Sequence, residues 1–379
     1  MKILLRLLFL LLLISCKKDL IVNEVLSETD QKSFKLNSTS TLNINSAEFF
    51  INKDDNEIFS FLNTNDNSLV YYLSSSPKKI EFASEGENGV GRFSITTSHH
   101  FISQDSILIL QTEMGKLFLS NLDGKILKSI DLFDLNDRGS FVNYPTGSTL
   151  KPMISYGEIL FAGCNFVKFF NDYSNYGTLQ KINFKNSQLE NIISLPKKYD
   201  ENFWGTMFKY RISFCLSEKG TLLVSFPIDD EVYEYDLEGK LQASFTCKSE
   251  YVENVKPFNA NKVYGSGSSP DWGKINSYSL SNSDYTALIS HPNKKQYYRI
   301  VYIRPSQGDV TTGKKIPDFS VIVFDEKHQI QGEQRFSSSK FDHTLVMATE
   351  GGLAIARKDL YDENNEELVF SIFNLNGDL

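Results

Sequence analysis

The stretch EVYEYDLEGKLQASFT, residues 231–246, has the alternation and the turn of a β-hairpin. Tyr233, Tyr235 and Leu237 fall on one face of its first half, and acidic residues between them fall on the other, as successive side chains of a strand do. The second half alternates in the same way. Between the halves lies Glu-Gly-Lys, whose Gly239 can adopt the positive φ that a tight turn requires. The stretch therefore predicts two antiparallel strands.

The same pattern recurs along the chain, and each copy is preceded by another short apolar run. Further hairpins are predicted at 68–82, 116–132, 179–195, 320–336 and 368–379. The preceding apolar runs are 58–62, 107–110, 158–161, 222–224, 298–302 and 353–356. Six units of strand, strand, turn and strand predict an all-β fold, a six-bladed β-propeller. A pair of β-sandwiches, or a ring of five or seven blades, remains an alternative.

Both ends of the predicted ring depart from the repeat. The last hairpin has a turn at 376–378 and then the chain stops, so its return strand is missing. Because a ring must close, we expect an N-terminal strand within 34–50 to complete the final blade. The Gly- and Ser-rich stretch 265–270 is predicted to lie in a long loop.

The N-terminus has the layout of a secretory signal. Lys2 precedes an apolar run, residues 3–14, which is interrupted only by Arg6 and is shorter than the ~20 residues that span a membrane. The run ends in Leu13-Ile14-Ser15-Cys16, which resembles the lipobox of bacterial lipoproteins, where cleavage precedes a lipidated cysteine. We therefore predict a signal peptide at 1–15, a lipidated Cys16 with a polar tether at 16–32, and the propeller at 33–379. A transmembrane anchor and a simple secreted protein are the alternatives.

The charge and the remaining cysteines restrict the partners. The chain carries 39 Lys and Arg against 47 Asp and Glu, and loss of Lys2 and Arg6 would leave a net charge of −10. An acidic surface argues against nucleic acid and against electrostatic adhesion to anionic lipids, so the predicted membrane contact is the lipid on Cys16. Cys164, Cys215 and Cys247 have no metal-ligand spacing and predict buried small side chains. We predict no cofactor and no metal.

Several short motifs, in this order along the chain, resemble one family. They are Glu-Gly-Glu-Asn-Gly-Val-Gly at 85–91, Tyr144-Pro145, Arg211-Ile212-Ser213-Phe214, Ser225-Phe226-Pro227, Tyr297-Tyr298-Arg299 and the strand 319–325. The chain resembles DUF4221, a group of uncharacterised lipoproteins of Bacteroidetes with a TolB-like six-bladed propeller. Glu87 is a departure, since the family pattern has proline there. The resemblance implies a propeller and an envelope location, in the outer membrane with its face undetermined, and it implies no activity.

The candidate ligand-binding residues are single polar or aromatic side chains beside predicted loops: Asn88, Trp204, Arg211, Trp272, Tyr298 and Arg299. Asn88 lies in a glycine-rich loop, and both tryptophans adjoin a glycine, as in an exposed aromatic binding groove. Burial of both tryptophans in the core is favoured over such a groove. For the arginines, a structural ion pair is favoured over contact with an anionic ligand.

No recognisable motif for catalysis is present, and no catalytic residue is assigned. The adjacent His99 and His100 would face opposite sides of a strand and so could not easily chelate one metal. We therefore predict an envelope-anchored lipoprotein whose propeller binds a peptide, a glycan or a protein. The alternative is a propeller hydrolase or lyase acting on an envelope glycan or lactone, with several carboxylates or a divalent metal in its channel.

Overall fold

A computed structural model describes residues 25–36, 40, 42, 44–52, 54, 56–73, 76–83, 89–133, 142–167, 172–259, 271–313, 315–361 and 367–377. Within them the strands form six antiparallel sheets, and each sheet is one blade of a propeller. Consecutive strands build each blade from its innermost to its outermost strand. The exception is blade six, which takes its outermost strand from the N-terminus. The predicted all-β, six-bladed fold is thus confirmed.

The first three blades contain these strands: β2 (Ala47–Ile51), β3 (Glu57–Asn63), β4 (Ser68–Tyr72) and β5 (Pro77–Glu81) in blade one; β6 (Thr97–Ser103), β7 (Ser106–Gln111), β8 (Lys116–Asn121) and β9 (Ile126–Asp131) in blade two; β10 (Asn143–Pro145), β11 (Ile154–Tyr156), β12 (Ile159–Phe166), β13 (Gly177–Asn183) and β14 (Gln188–Ser194) in blade three. Both β10 and β11 pair with β12.

The last three blades contain these strands: β15 (Ser213–Leu216), β16 (Leu222–Ser225), β17 (Glu231–Tyr235) and β18 (Leu241–Thr246) in blade four; β19 (Asp284–Ser290), β20 (Gln296–Ile303), β21 (Asp318–Asp325) and β22 (Ile330–Phe336) in blade five; β23 (Phe341–Thr349), β24 (Gly352–Arg357), β25 (Glu367–Leu375) and β1 (Leu26–Lys35) in blade six. The α-helices are short: α1 (Lys198–Glu201), α2 (Trp272–Ser281) and α3 (Gln307–Thr311). Among the described residues, none of the helices has the length and hydropathy to cross a membrane.

The outer hairpins of blades two, four and five share one turn chemistry. In blade four the Asp236 Oδ1 accepts hydrogen bonds from the backbone N–H groups of Glu238 at 3.0 Å and Lys240 at 2.9 Å. Asn121 and Asp325 make the same pair of bonds in blades two and five. An Asx side chain that holds the backbone in this way fixes a turn locally. These hairpins were therefore predictable from the sequence.

The core consists of six apolar clusters, each packed between two neighbouring blades. One of them joins the last blade to the first through Phe59, Tyr72 and Phe370, so the ring is closed. Because each blade is covered on both sides, both faces of its central strands are buried; all seven residues of β3 except the first are fully buried. Cys164, Cys215 and Cys247 are free thiols within this core, as predicted.

The closing strand lies nearer the N-terminus than the sequence predicted. β1 pairs antiparallel with β25, from Leu26 opposite Leu375 to Lys35 opposite Glu367. The predicted interval 34–50 is wrong in position, since β1 ends at Lys35 and the innermost strand β2 of blade one begins at Ala47. β1 thus begins within the interval 16–32 that was assigned to the lipidated cysteine and its tether. An outermost strand faces solvent and can be highly charged, so β1 has the composition of a tether.

Candidate functional site

A cavity of about 380 Å³ occupies one half of the central channel, and all six blades contribute to its wall. It lies where the innermost strands end, because its lining includes the final residues of β15, β19 and β23. Most of the wall is apolar, with Phe49, Phe214 and Met347 among its large side chains. Its volume and lining are those of a small-molecule pocket.

Three polar side chains from three blades meet at the edge of this cavity. The His100 Nδ1 lies 3.0 Å from the Glu48 Oε2, and its Nε2 lies 2.9 Å from the Ser155 Oγ. The backbone N–H of Ser155 also donates to Nε2 at 3.2 Å. The Nε2 is therefore an acceptor, and the Nδ1 carries the proton that is donated to Glu48. These hydrogen bonds link blades one, two and three.

Burial alone would raise the pKa of Glu48, but its partners reverse that effect. The interactions of its carboxylate with the His100 and His99 rings, and a 2.6 Å bond from the backbone N–H of Phe101, lower the pKa of this carboxyl. Glu48 thus remains an anion at the cavity wall.

His99 points away from His100, as the alternation predicted. It is buried between blades one and two, with Nδ1 2.9 Å from the Ser46 Oγ and Nε2 2.8 Å from the Ser60 Oγ. Burial lowers the pKa of His99 to about 4, so the ring is neutral at pH 7. Its Nε2 also lies 3.8 Å from the Glu48 Oε1, so both histidines approach the same carboxylate.

The other half of the channel, where the innermost strands begin, carries a group of cations around one carboxylate. Lys209 precedes β15, and its Nζ donates to Asp284 Oδ2 at 3.0 Å and to the carbonyls of Asn282 and Ser283 at 2.8 Å. Arg304 donates to the same Asp284 oxygen through Nε and Nη2, both at 3.3 Å. Despite burial, these two cations hold the pKa of Asp284 well below its usual range.

Lys151 and Arg211 complete this group, which we call the cation cluster: Lys151, Lys209, Arg211 and Arg304 with Asp284. The Lys151 Nζ donates to the carbonyl of Arg211 at 2.5 Å. Burial, with the positive charges of Arg211 and Lys209, lowers the pKa of Lys151 to about 7. Burial likewise lowers the pKa of Lys209 to about 8 and that of Arg211 to about 10.

The Arg211 guanidinium differs from the other cations of the cluster. Its Nε and Nη2 are enclosed and have no hydrogen-bond partner in the described part of the chain. No ion pair of Arg211 is found there either, so the structural ion pair favoured from the sequence is absent from these residues. Among the described candidate residues, Arg211 is therefore one with buried donors that lack a partner.

The structure gives Arg299 a structural role. Its side chain is fully buried and donates to the Ser225 Oγ and to the backbone carbonyls of residues 229, 230, 231 and 247 at 2.6–3.1 Å. Its guanidinium carbon lies 3.8 Å from the centroid of the Tyr285 ring. These contacts join blade five to blade four and leave Arg299 buried away from any ligand.

The other candidates are dispersed. Trp204 is buried and donates from Nε1 to the Lys198 carbonyl at 3.2 Å, and Tyr298 is buried with its hydroxyl 3.2 Å from the Gln296 Oε1. Both are core residues, which for Trp204 was the favoured interpretation. Trp272 is 54% exposed at the start of α2. Cys16 and Asn88, and the loops at 265–270 and 362–366, lie outside the described residues.

Apart from Arg211, the polar residues of these two groups were not among the candidates. Glu48, His100 and Ser155 come from three blades, and Lys151 and Lys209 lie in connecting segments. No sequence spacing joins them. The sequence offered only a weaker signal, which is position. Each of these residues lies on or just before an inner strand of a blade, and the inner strands face the axis of a propeller.

With this geometry in place, the chain can be compared with known proteins. Residues 22–335 match DUF4221, described as a domain of unknown function. The chain belongs to the DUF4221 family. The fold of this DUF4221 member matches the 1.75 Å crystal structure of a DUF4221 protein from Bacteroides vulgatus, with a TM-score of 0.76 and 19% identity over 93% of this chain and 98% of that one.

Other solved structures are less similar to this DUF4221 member. Virginiamycin B lyase from Staphylococcus aureus gives a TM-score of 0.43 and 7% identity over 92% and 99% of the two chains. Regucalcin, a calcium-binding protein from Agrobacterium tumefaciens, gives 0.44 and 10% over 91% and 94%. A search of curated proteins found no match. Across the described ranges, no group of three or more His, Cys, Asp or Glu side chains is placed to hold a metal ion.

Proposed function

We propose that this protein is an envelope-anchored lipoprotein whose propeller binds the apolar part of a ligand, such as a peptide side chain, in its central channel. The cavity of about 380 Å³ with its largely apolar wall is the observation that carries the proposal. Burial of an apolar group there gains roughly 25 cal/mol per Å² removed from water. A glycan is disfavoured as occupant, since it would need many polar partners and the wall offers few.

The anchor rests on the sequence alone. The apolar run at 3–14 followed by Cys16 supports lipidation, and the acidic net charge supports attachment through lipid and not through headgroups. Because β1 begins at Leu26, only residues 17–25 separate Cys16 from the described part of blade six. Nine residues reach at most about 30 Å when fully extended. We therefore propose that the ring is held close to the membrane surface.

The binding proposal is tested by blocking the cavity. Purified residues 17–379 should bind one molecule of the neutral fluorescent dye N-phenyl-1-naphthylamine, and peptides with large apolar side chains should displace it. Ala348→Trp should weaken dye binding at least roughly tenfold, because Ala348 lines the cavity and an indole would fill it. The measurement is a fluorescence titration.

Ala243→Trp is the matched control, since Ala243 lies exposed on the outermost strand β18. Dye binding that is absent from the wild type, or that both variants reduce equally, would contradict a channel site. Displacement by saccharides but not by peptides would contradict the proposed ligand class.

Hydrolase activity is the second candidate function. The observation that favours it is the series of hydrogen bonds from Ser155 through His100 to Glu48. Its two distances, 2.9 and 3.0 Å, match those of a nucleophile, base and orienting acid. However, the backbone N–H of Ser155 also donates to the His100 Nε2. The lone pair of that nitrogen is therefore partly occupied, and it is a poorer base for the Ser155 hydroxyl. Binding without catalysis therefore remains the first proposal.

The two candidates differ in the reactivity of Ser155. We expect a fluorophosphonate probe to leave the folded protein unlabelled, with intact-mass spectrometry as the measurement. Ser155→Ala is the control for any labelling elsewhere. Stoichiometric labelling that disappears in Ser155→Ala would favour the hydrolase.

A further inference from the structure

We propose that the half of the channel where the innermost strands begin is an oxyanion site, in which Arg211 and Lys151 together bind a carboxylate or a phosphate group. This site is separate from the apolar cavity and goes beyond the proposed function. It rests on the unpartnered donors of Arg211, on the second cation beside them and on the excess of positive charge around both.

The unpartnered nitrogens of Arg211 are a matched pair. Nε–H and one N–H of Nη2 form one edge of the planar guanidinium and point in parallel, which is the geometry that binds two oxygens of one carboxylate or phosphate. Both nitrogens are enclosed. An enclosed charged donor without a partner is costly, and more so than an enclosed neutral donor. An oxyanion on this edge would satisfy both donors at once.

Lys151 supplies further donors next to Arg211. Its ammonium has three N–H groups, and among the described residues one hydrogen bond from it is found, to the Arg211 carbonyl. That bond fixes the Lys151 Nζ against the backbone of the residue whose side chain is unpartnered. The Lys151 Nζ is also near enough to the Arg211 guanidinium for its positive charge to lower the pKa of Lys151.

The surrounding charge is uncompensated. The cation cluster has four basic side chains and one carboxylate, and Lys209 and Arg304 both donate to that carboxylate. Neither Lys151 nor Arg211 has an ion pair with a described residue. The chain as a whole has a net charge of −8, so this accumulation is not a consequence of a basic composition. A bound anion would lower the repulsion among these buried cations.

The test is anion-dependent stability of the full chain, purified in detergent at constant ionic strength. Sodium phosphate and sodium benzoate are compared with sodium chloride by differential scanning calorimetry, and affinity is measured by isothermal titration. We expect phosphate, benzoate or both to raise the unfolding temperature above that in chloride. Stabilisation by one salt alone identifies the phosphate or the carboxylate as the preferred group.

Arg211→Met should abolish the stabilisation by phosphate or benzoate. The affinity for the anion should fall about 100-fold, because two charge-assisted hydrogen bonds are lost. In chloride the variant should be as stable as the wild type or more stable, because it removes an unpartnered buried charge. Lys151→Met should weaken binding less, and Arg335→Met, at an exposed ion pair with Asp318, should leave it unchanged. The proposal is overturned if neither salt stabilises the wild type beyond chloride, or if Arg211→Met retains the full stabilisation.

Discussion

Arg299→Met is expected to lower the free energy of unfolding by about 4 kcal/mol or more. Arg299 satisfies four backbone carbonyls and one hydroxyl of blade four, and it stacks on Tyr285. Methionine fills much of the space but donates nothing, so these buried carbonyls lose their partner. The measurement is urea unfolding followed by far-ultraviolet circular dichroism. Aggregation of the variant on purification would be the extreme form of the same result.

Two further substitutions separate geometry from charge. Arg299→Lys should cost nearly as much as the methionine variant, because an ammonium keeps the charge but cannot reach five acceptors in a planar fork. Arg335→Met, in β22 of the same blade, should cost no more than about 1 kcal/mol, since its ion pair is exposed. Equal unfolding midpoints for Arg299→Met and Arg335→Met would contradict the structural role given to Arg299.

Removal of β1 is expected to cost more than about 5 kcal/mol, a large part of the stability of an ordinary domain. A chain that starts at residue 37 lacks the strand that pairs with β25 from Leu375 to Glu367. It also lacks Phe34, whose ring lies 4.4 Å from that of Phe59 and 5.1 Å from that of Tyr72. The open ring would expose an unpaired strand edge, which promotes association. Size-exclusion chromatography and calorimetry measure the outcome.

A chain that starts at residue 22 is the control and should unfold cooperatively. A synthetic peptide of residues 25–36, added to the shorter chain, should restore a monomer with a sharp transition, because the missing strand is supplied in trans. If the chain from residue 37 were monomeric and unfolded at the same temperature as the control, closure by β1 would be dispensable.

The hairpins were predictable because their determinants are local. In residues 231–246 the alternation, the Asp236 side chain that holds the turn, and the positive φ of Gly239 all act within a few residues. Five more copies then gave the number of blades. The first strand of each blade was missed for a physical reason. It faces the channel on one side and packs on the other, so strands such as β6, with Ser98, His99 and His100, have no simple apolar alternation.

By itself, the sequence determined the short antiparallel hairpins and, through their repetition, predicted a six-bladed ring closed through the N-terminus. It could not determine which segment closes the ring, because an outermost strand such as β1 is charged and resembles a linker. Only the tertiary structure decided which side chains meet in the channel. In the structure Arg299 is buried among backbone carbonyls. Arg211, for which the sequence predicted the same two alternatives, has two donors without a described partner, and its own carbonyl accepts a hydrogen bond from Lys151. The physical reason is that blades contribute single residues to the axis, and their proximity depends on ring closure and not on spacing along the chain.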